Sequence, residues 1–436
     1  MSATTEGRAV VFLLAAAILP ALPAHPADTS REETAMHSVD VTRELYIEHT
    51  VPGASRWVNA YYVGEGLERE EIHSFMAKSD TPEKPKRRRS ADNGRTWSAF
   101  EELPDVVTQE QGARIYWDGA PRFVDAEHGL LVSIWLRQTK TSTYFNQCFS
   151  RISRDQGLTW GEPRQLRYED GAFFDPANPL DPDFLHNNQV YFGNNIIRHS
   201  NGTLIHVGAA VNVPHESTTS KSYDSRVPAD ARSIGSVCFI GTWDAGAADY
   251  DWTAGAPVWV PLEVSSRGLM EPDVVELRDS RLLVVWRGSN TPDTEGRKWF
   301  SVSKDGGRTL SPVQEWKYDD GTRFYSPSSI HRFFRHSVTG RLYWLGNICS
   351  APPSGNSPRY PLIIAEVDES VPALKRNTVT VIDDKGPGDS PQLQLSNFAV
   401  LENRESHEVE VYLTRLGSDP DDFWGADAYK YMLTFK

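Results

Sequence analysis

Ser90-Ala91-Asp92-Asn93-Gly94-Arg95-Thr96-Trp97 recurs as Ser153-Arg154-Asp155-Gln156-Gly157-Leu158-Thr159-Trp160 and again as Ser303-Lys304-Asp305-Gly306-Gly307-Arg308-Thr309-Leu310. The pattern Ser-x-Asp-x-Gly-x-Thr, closed by Trp in the first two copies, suits a tight hairpin. A carboxylate accepts backbone N–H groups across the turn, Gly supplies a positive φ, Thr returns to strand and the aromatic packs beneath. The copies begin at residues 90, 153 and 303, so the second interval leaves room for a further unit. A degenerate copy fits that gap, with Ile240-Gly241-Thr242-Trp243-Asp244 leading to Asp251-Trp252, and Ile364-Ala365-Glu366-Val367-Asp368 lies about one more period on. Between the copies run short alternating segments such as Leu130-Leu131-Val132-Ser133-Ile134-Trp135, Leu282-Leu283-Val284-Val285-Trp286 and Arg341-Leu342-Tyr343-Trp344-Leu345, which read as strands. No amphipathic helix of any length interrupts them. At roughly 60 to 70 residues and four strands per unit, the chain holds six units, which is the arithmetic of a repeat closed into a ring. The fold expected is all-β, a six-bladed β-propeller of four-stranded antiparallel blades over residues 41–436.

Composition limits what such a ring does. The 436 residues carry 45 Lys and Arg against 59 Asp and Glu, a net charge of −14. That balance argues against a general nucleic-acid binder and gives no reason to expect an anionic membrane surface as partner. Any anionic substrate must be captured locally. The one long apolar run, Ala9 to Leu22, follows Arg8 and precedes small residues at Ala21, Ala24 and Ala27. It reads as a secretory signal over residues 1–27, cleaved after Ala24 or Ala27, rather than as a membrane span. Residues 28–40 read as a loose lead-in, and the mature protein is expected to be secreted or periplasmic and a monomer. Three cysteines, Cys148, Cys238 and Cys349, allow at most one disulfide and read as buried small hydrophobes. No Cys-x-x-Cys and no zincin-spaced His pair is present, so no metal and no cofactor is expected. The longest irregular stretch, Asp170 to Phe184, leads into His186-Asn187-Asn188 and is read as a loop lining the propeller mouth.

The three Ser-x-Asp-x-Gly-x-Thr copies at propeller spacing resemble the sialidase (neuraminidase) superfamily of BNR-repeat, or Asp-box, proteins, from about residue 50 to the end. The resemblance implies a secreted glycosidase of exo-α-sialidase type that removes a terminal acidic sugar from a glycan. Such enzymes hold the sugar carboxylate with three arginines, protonate the leaving oxygen with an Asp and attack with a Tyr activated by a Glu. Guanidinium groups suit a carboxylate because they grip it bidentately.

Glu271-Pro272-Asp273-Val274-Val275-Glu276-Leu277 followed by Arg281 to Arg287 looks like the family's Glu-to-Arg hairpin. Glu271 begins one strand and Arg287 ends the next, so a hairpin carries both to the same end of a blade; an ordinary surface Glu–Arg pair would read the same way. Arg359, in Arg359-Tyr360-Pro361-Leu362, resembles the third family arginine, and Arg56, in Ser55-Arg56-Trp57-Val58, stands where the first would fall. Asp80, in Lys78-Ser79-Asp80-Thr81-Pro82, matches the acid/base loop, though a solvated turn residue before Pro fits equally. His186 and Tyr325 are loop residues expected at the ligand, and His206, within an apolar strand, is expected to be a core histidine. The chain departs from the family at the nucleophile. Gly388-Asp389-Ser390-Pro391-Gln392-Leu393-Gln394-Leu395-Ser396-Asn397-Phe398, where the family's Tyr-Ser would stand, has no Tyr. Two other readings therefore stay open: a non-catalytic carbohydrate-binding propeller that kept the arginines, and a propeller hydrolase or lyase acting on uronate-containing polysaccharide.

Overall fold

A computed structural model describes residues 38–78, 81–119, 121–142, 144–211 and 234–436. Six antiparallel sheets make up the described residues, and they are the six blades of a β-propeller. Blade 1 runs from its inner strand Ser55–Tyr62 through Arg69–Met76 and Glu83–Ser90 to the outer Glu101–Glu102. Blade 4 repeats the order with Met270–Glu276, Leu282–Arg287, Lys298–Ser303 and Gln314–Glu315. Blade 5 runs Arg332–Arg335, Leu342–Asn347, Leu362–Asp368 and Ala373–Leu374, with Thr380–Asp383 added on the third strand. In blade 3, Leu204–Ala210 pairs with Ile196–Arg198 near its start and Val190–Tyr191 near its end, then with Val237–Asp244, which pairs with Asp249–Ala254. Blade 2 has a long second strand, Leu130–Lys140, that holds inner Arg122–Asp125 at one end and Ala113–Asp118 at the other.

Blade 6 closes the ring. Ala399–Glu402, Val409–Thr414 and Ala428–Phe435 come from the end of the chain, whereas the fourth strand is Val39–Ile47 from its start, paired Val39 to Phe435 onward. Strand pairing thus starts at Val39, two residues before the expected boundary; the expected signal segment, 1–27, and residues 28–37 of the lead-in lie outside the described residues.

The segments read as alternating strands are mostly second strands, and several are buried on both faces. Leu282–Arg287, Leu342–Asn347 and Val409–Thr414 are buried at every position. A blade is covered on each side by its neighbours, so a middle strand reads as an unbroken apolar run rather than an alternation. The cores lie between blades: Val207 and Ile240 of blade 3 pack with Val284 and Trp286 of blade 4, and Trp316 with Trp344 joins blades 4 and 5. The three cysteines are buried in these layers and none is in a disulfide. Burial pushes the Cys238 and Cys349 thiols up to about 12.

The repeated turns join third and outer strands. In the first copy Gly94 N–H donates to Ser90 Oγ at 2.8 Å, Thr96 N–H to Asp92 Oδ1 at 2.8 Å and the Thr96 hydroxyl to Asp92 Oδ2 at 2.6 Å. The second and third copies repeat the set around Asp155 and Asp305. Gly94, Gly157 and Gly307 take φ of +85°, +83° and +90°, the role expected of Gly in this pattern. Thr96 and Thr159 hydrogen bonds hold the Asp92 and Asp155 carboxyls down to about 2.

Candidate functional site

In blade 4 the hairpin delivers its two charged ends to one place. Met270 pairs with Arg287, and a bulge before Asp273 leaves Glu271 outside the regular register. Glu271 has φ +44°, a left-handed backbone that a non-glycine residue adopts only under constraint. The constraint comes from blade 3: Asn194 Nδ2 donates to the Glu271 carbonyl at 3.0 Å and to the His331 carbonyl at 3.1 Å, tying blades 3, 4 and 5 together. Arg287 Nη1 donates to Glu271 Oε2. Burial alone pushes the Glu271 carboxyl up, yet the Arg287 charge and hydrogen bond, with Arg359 and Arg267 behind them, hold it below the ordinary carboxylate value. It is therefore a charged group at neutral pH, suited to accept a proton or steady a cation rather than to donate.

Arg287 and Arg359 meet at one residue. Arg287 Nε donates to Ser328 Oγ at 2.8 Å, and Arg359 Nη2 donates to the Ser328 carbonyl at 3.0 Å. Arg359 Nη1 also donates to Gln394 Oε1 at 2.9 Å and Ser396 Oγ at 3.1 Å. Lys298, paired with Arg287 across the strands and fully buried, donates from Nζ to the Ser329 carbonyl at 2.5 Å. Burial, and next the Arg287 charge, press the Lys298 amine well below its ordinary value. Three basic side chains thus pin Pro327–Ser329, which explains why a connecting segment is buried. The lining backbone is held from blade 5 as well, where Asn347 Nδ2 donates to the carbonyls of Arg359 at 3.0 Å and Leu395 at 3.0 Å.

This cluster sits where inner strands start, and the Asp turns sit at the other end of the blade. Lys298 opens the third strand of blade 4 and Ser303 closes it, five residue steps or about 17 Å away.

The expected site residues divide accordingly. Glu271, Arg287 and Arg359 come together. Tyr325 lies three residues before Ser328 in the same segment, half-buried, its carbonyl accepting from Cys349 N–H at 2.8 Å. His186 ends a short helix, Pro182–His186, and stands edge-on to Phe145 at 5.0 Å in an aromatic cluster with Phe184 on blade 2. The Asp170–Phe184 loop packs through Phe174 and Phe184 into that same cluster. The Arg56 guanidinium lies 3.8 Å over the Phe75 ring, and Nη2 donates to Thr50 Oγ1 at 2.9 Å. Asp80 lies outside the described residues. His206 is a core residue, Nδ1 facing the Asn195 carbonyl at 2.9 Å, its ring pushed down to about 4 by burial.

Sequence reasoning missed Ser328, Lys298, Asn194 and Asp273. Asp273 is fully buried, accepts from Phe333 N–H, and is pushed up to about 7 by burial against the pull of Arg332. Only the Gly193-Asn194-Asn195 punctuation before the inner strand of blade 3 hinted at any of them. The tyrosine-free segment 388–398 turns out to serve Arg359, through Gln394 and Ser396.

No protein-family model matches the sequence, and no curated protein matches it. Solved structures do. A Dyadobacter fermentans protein of unknown function superposes with a TM-score of 0.59 at 12% identity, covering 91% of this chain and 99% of that one. Trypanosoma rangeli sialidase, in complex with the inhibitor DANA, gives 0.52 at 12% identity over 90% of this chain and 59% of its own. The Hadza microbial sialidase Hz136 gives 0.51 at 15% identity over 86% and 64%. At such identities the likeness is one of fold, and the chain spans only about three fifths of either sialidase.

Proposed function

We propose that this propeller is a glycoside hydrolase that removes a terminal acidic sugar from a glycan, with the carboxylate held by Arg287 and Arg359. The observation that carries the reading is the convergence of both guanidinium groups on Ser328 beside Glu271. Arg287, Arg359 and Arg267 around one carboxylate leave a surplus of positive charge in a chain of net charge −14. A local basic pocket in an acidic protein selects an anion by contrast with its surroundings. Among the described residues Arg287 Nη2 carries no hydrogen bond, which leaves a donor for a ligand beside the one that Glu271 occupies.

Glu271, kept ionised by its arginines, serves as the base or electrostatic partner of the attacking group. Asp80 then supplies the acid, because protonating a glycosidic oxygen needs a carboxyl whose proton is still in place at working pH. Tyr325 is the tyrosine nearest in sequence to Ser328 and is proposed, with His186, to touch the sugar. The protein is proposed to act on glycans outside the cytoplasm as a monomer; among the described residues no helix is long and apolar enough to cross a membrane.

One observation favours a second reading, a carbohydrate-binding propeller without turnover: segment 388–398 supplies no tyrosine. The Asp80→Asn variant separates the two. Release of the fluorescent aglycone from an aryl sialoside or aryl uronide is expected to fall at least about a hundredfold, the scale of a lost general acid, with acidic-sugar binding unchanged. Full activity in that variant removes Asp80 from the mechanism, and no release by the unaltered protein from any aryl glycoside favours the binding propeller.

A further inference from the structure

A second basic cavity, of about 230 Å³, lies between blade 1 and the N-terminal strand Val39–Ile47, and Arg56 belongs to it. Its walls include Trp57, Phe75 and Phe100 with the cations Arg56, Lys86 and Arg88.

Among the described residues the charges in it do not balance. Arg88 is neutralised, its Nε and Nη2 donating to Glu71 Oε2 at 2.9 and 2.7 Å. The same buried carboxylate accepts from the Tyr46 hydroxyl at 2.7 Å and lies 3.0 Å from His73 Nε2, so its capacity is spent on groups already in place. Burial lowers the His73 ring below its ordinary value, which removes a third cation at neutral pH. Arg56 and Lys86 remain. Among the described residues the Arg56 side chain donates only to the neutral Thr50 hydroxyl, and its buried Nε has no partner. Lys86 Nζ rests 4.1 Å over the Phe100 ring. Among the described residues neither cation has a carboxylate within ion-pair distance. Both cations border the same aromatic-walled cavity, and an anion seated there gains charge-assisted partners.

We propose that this cavity is an accessory binding site for one carboxylate-bearing sugar ring, the carboxylate on Arg56 and Lys86 and the ring against Trp57 and Phe100. Its volume is below the roughly 300–1,000 Å³ of drug-sized sites, which fits one monosaccharide unit rather than a chain. The planar guanidinium favours a carboxylate over a neutral hydroxyl, and the aromatic walls favour a ring with an apolar face over a bare inorganic ion. The inference stands apart from the central site, since it uses none of Glu271, Arg287 or Arg359.

The test is a calorimetric titration of D-glucuronate into the full chain, into Arg287→Ala, and into Arg56→Gln and Lys86→Gln. D-glucose serves as the neutral control and glucose 6-sulfate as the sulfate control. A glucuronate site that persists in Arg287→Ala, weakens about tenfold or more in Arg56→Gln and in Lys86→Gln, and is absent for glucose is the expected result. Glucuronate binding that vanishes in Arg287→Ala, or is equal in Lys86→Gln and the unaltered protein, overturns the proposal. Equal or tighter binding of glucose 6-sulfate overturns its assignment to carboxylates. Lys86 contributes one ring contact to the fold, so Lys86→Gln keeps the test valid if Arg56→Gln unfolds. Loss of aglycone release with this site intact would fault the central reading alone.

Discussion

In an Arg56→Gln background, Arg287→Ala is expected to lose acidic-sugar binding or turnover by about thirtyfold or more while neutral sugars behave as before, since truncating a buried, hydrogen-bonded charge typically costs 2–5 kcal/mol of binding. The same change carries a folding cost. Arg287 is the group that holds Glu271 ionised against burial, and removing one partner of a buried pair costs roughly 3–5 kcal/mol because the other charge is stranded. Denaturant unfolding measures that loss separately from the titration. Arg287→Lys divides charge from geometry: an ammonium restores a partner for Glu271 but not the second arm that Nε extends to Ser328. Stability should return further than affinity. Equal affinity with and without Arg287→Ala in that background would show that the carboxylate is held elsewhere.

Glu410→Ala is expected to destabilise the ring by about 3–5 kcal/mol. Arg69 of blade 1 and Glu410 of blade 6 are both 2% exposed, with Arg69 Nη2 donating to Glu410 Oε2 at 2.5 Å and Lys430 at 3.2 Å from the same carboxylate. The pair spans the seam beside the N-terminal strand. Burial pushes the Glu410 carboxyl up, but Arg69 outweighs it and holds the value down to about 2. A folded value below the unfolded one means the stabilisation is present above the ordinary carboxylate range and is lost as pH falls through it toward 2. Urea unfolding of both proteins at pH 7 and near pH 2 checks this. The gap between them should be wide at pH 7 and narrow in acid; a gap independent of pH would place the stabilisation outside the ion pair.

The fold was legible because its signal is local and repeated. Each Ser-x-Asp-x-Gly-x-Thr turn fixes its own geometry with three hydrogen bonds inside seven residues, so reading the turn is enough to place a third and an outer strand. The closing strand was not legible for the opposite reason. Val39–Ile47 pairs with Ala428–Phe435 across the whole chain, and nothing within Val-Asp-Val-Thr-Arg-Glu-Leu names its partner.

The candidate site follows the same division. Glu271 and Arg287 were found together because one hairpin carries both, and the pairing of Met270 with Arg287 is set by a short connection. Arg359 was placed by resemblance, and its contact with Ser328 depends on how blades 4 and 5 dock. Arg56 shows what such reasoning cannot reach. In a strand each residue points to the face opposite its neighbours', and the Arg56 guanidinium lies over the Phe75 ring. Lys298 carries no motif of its own, and the stacking of blades buries it.

A carboxylate clamp made by Arg287 and Arg359 at Ser328 is read out by a double-mutant cycle on acidic-sugar binding with Arg287→Ala, Arg359→Ala and the double variant. N-acetylneuraminate and D-glucuronate are the probes, each titrated in an Arg56→Gln background so that the lateral cavity is silent. Two arginines sharing one carboxylate predict a coupling of about 0.5–3 kcal/mol, with the double variant losing less than the sum of the two single losses. Additive losses, or no loss in either single variant, would contradict the clamp.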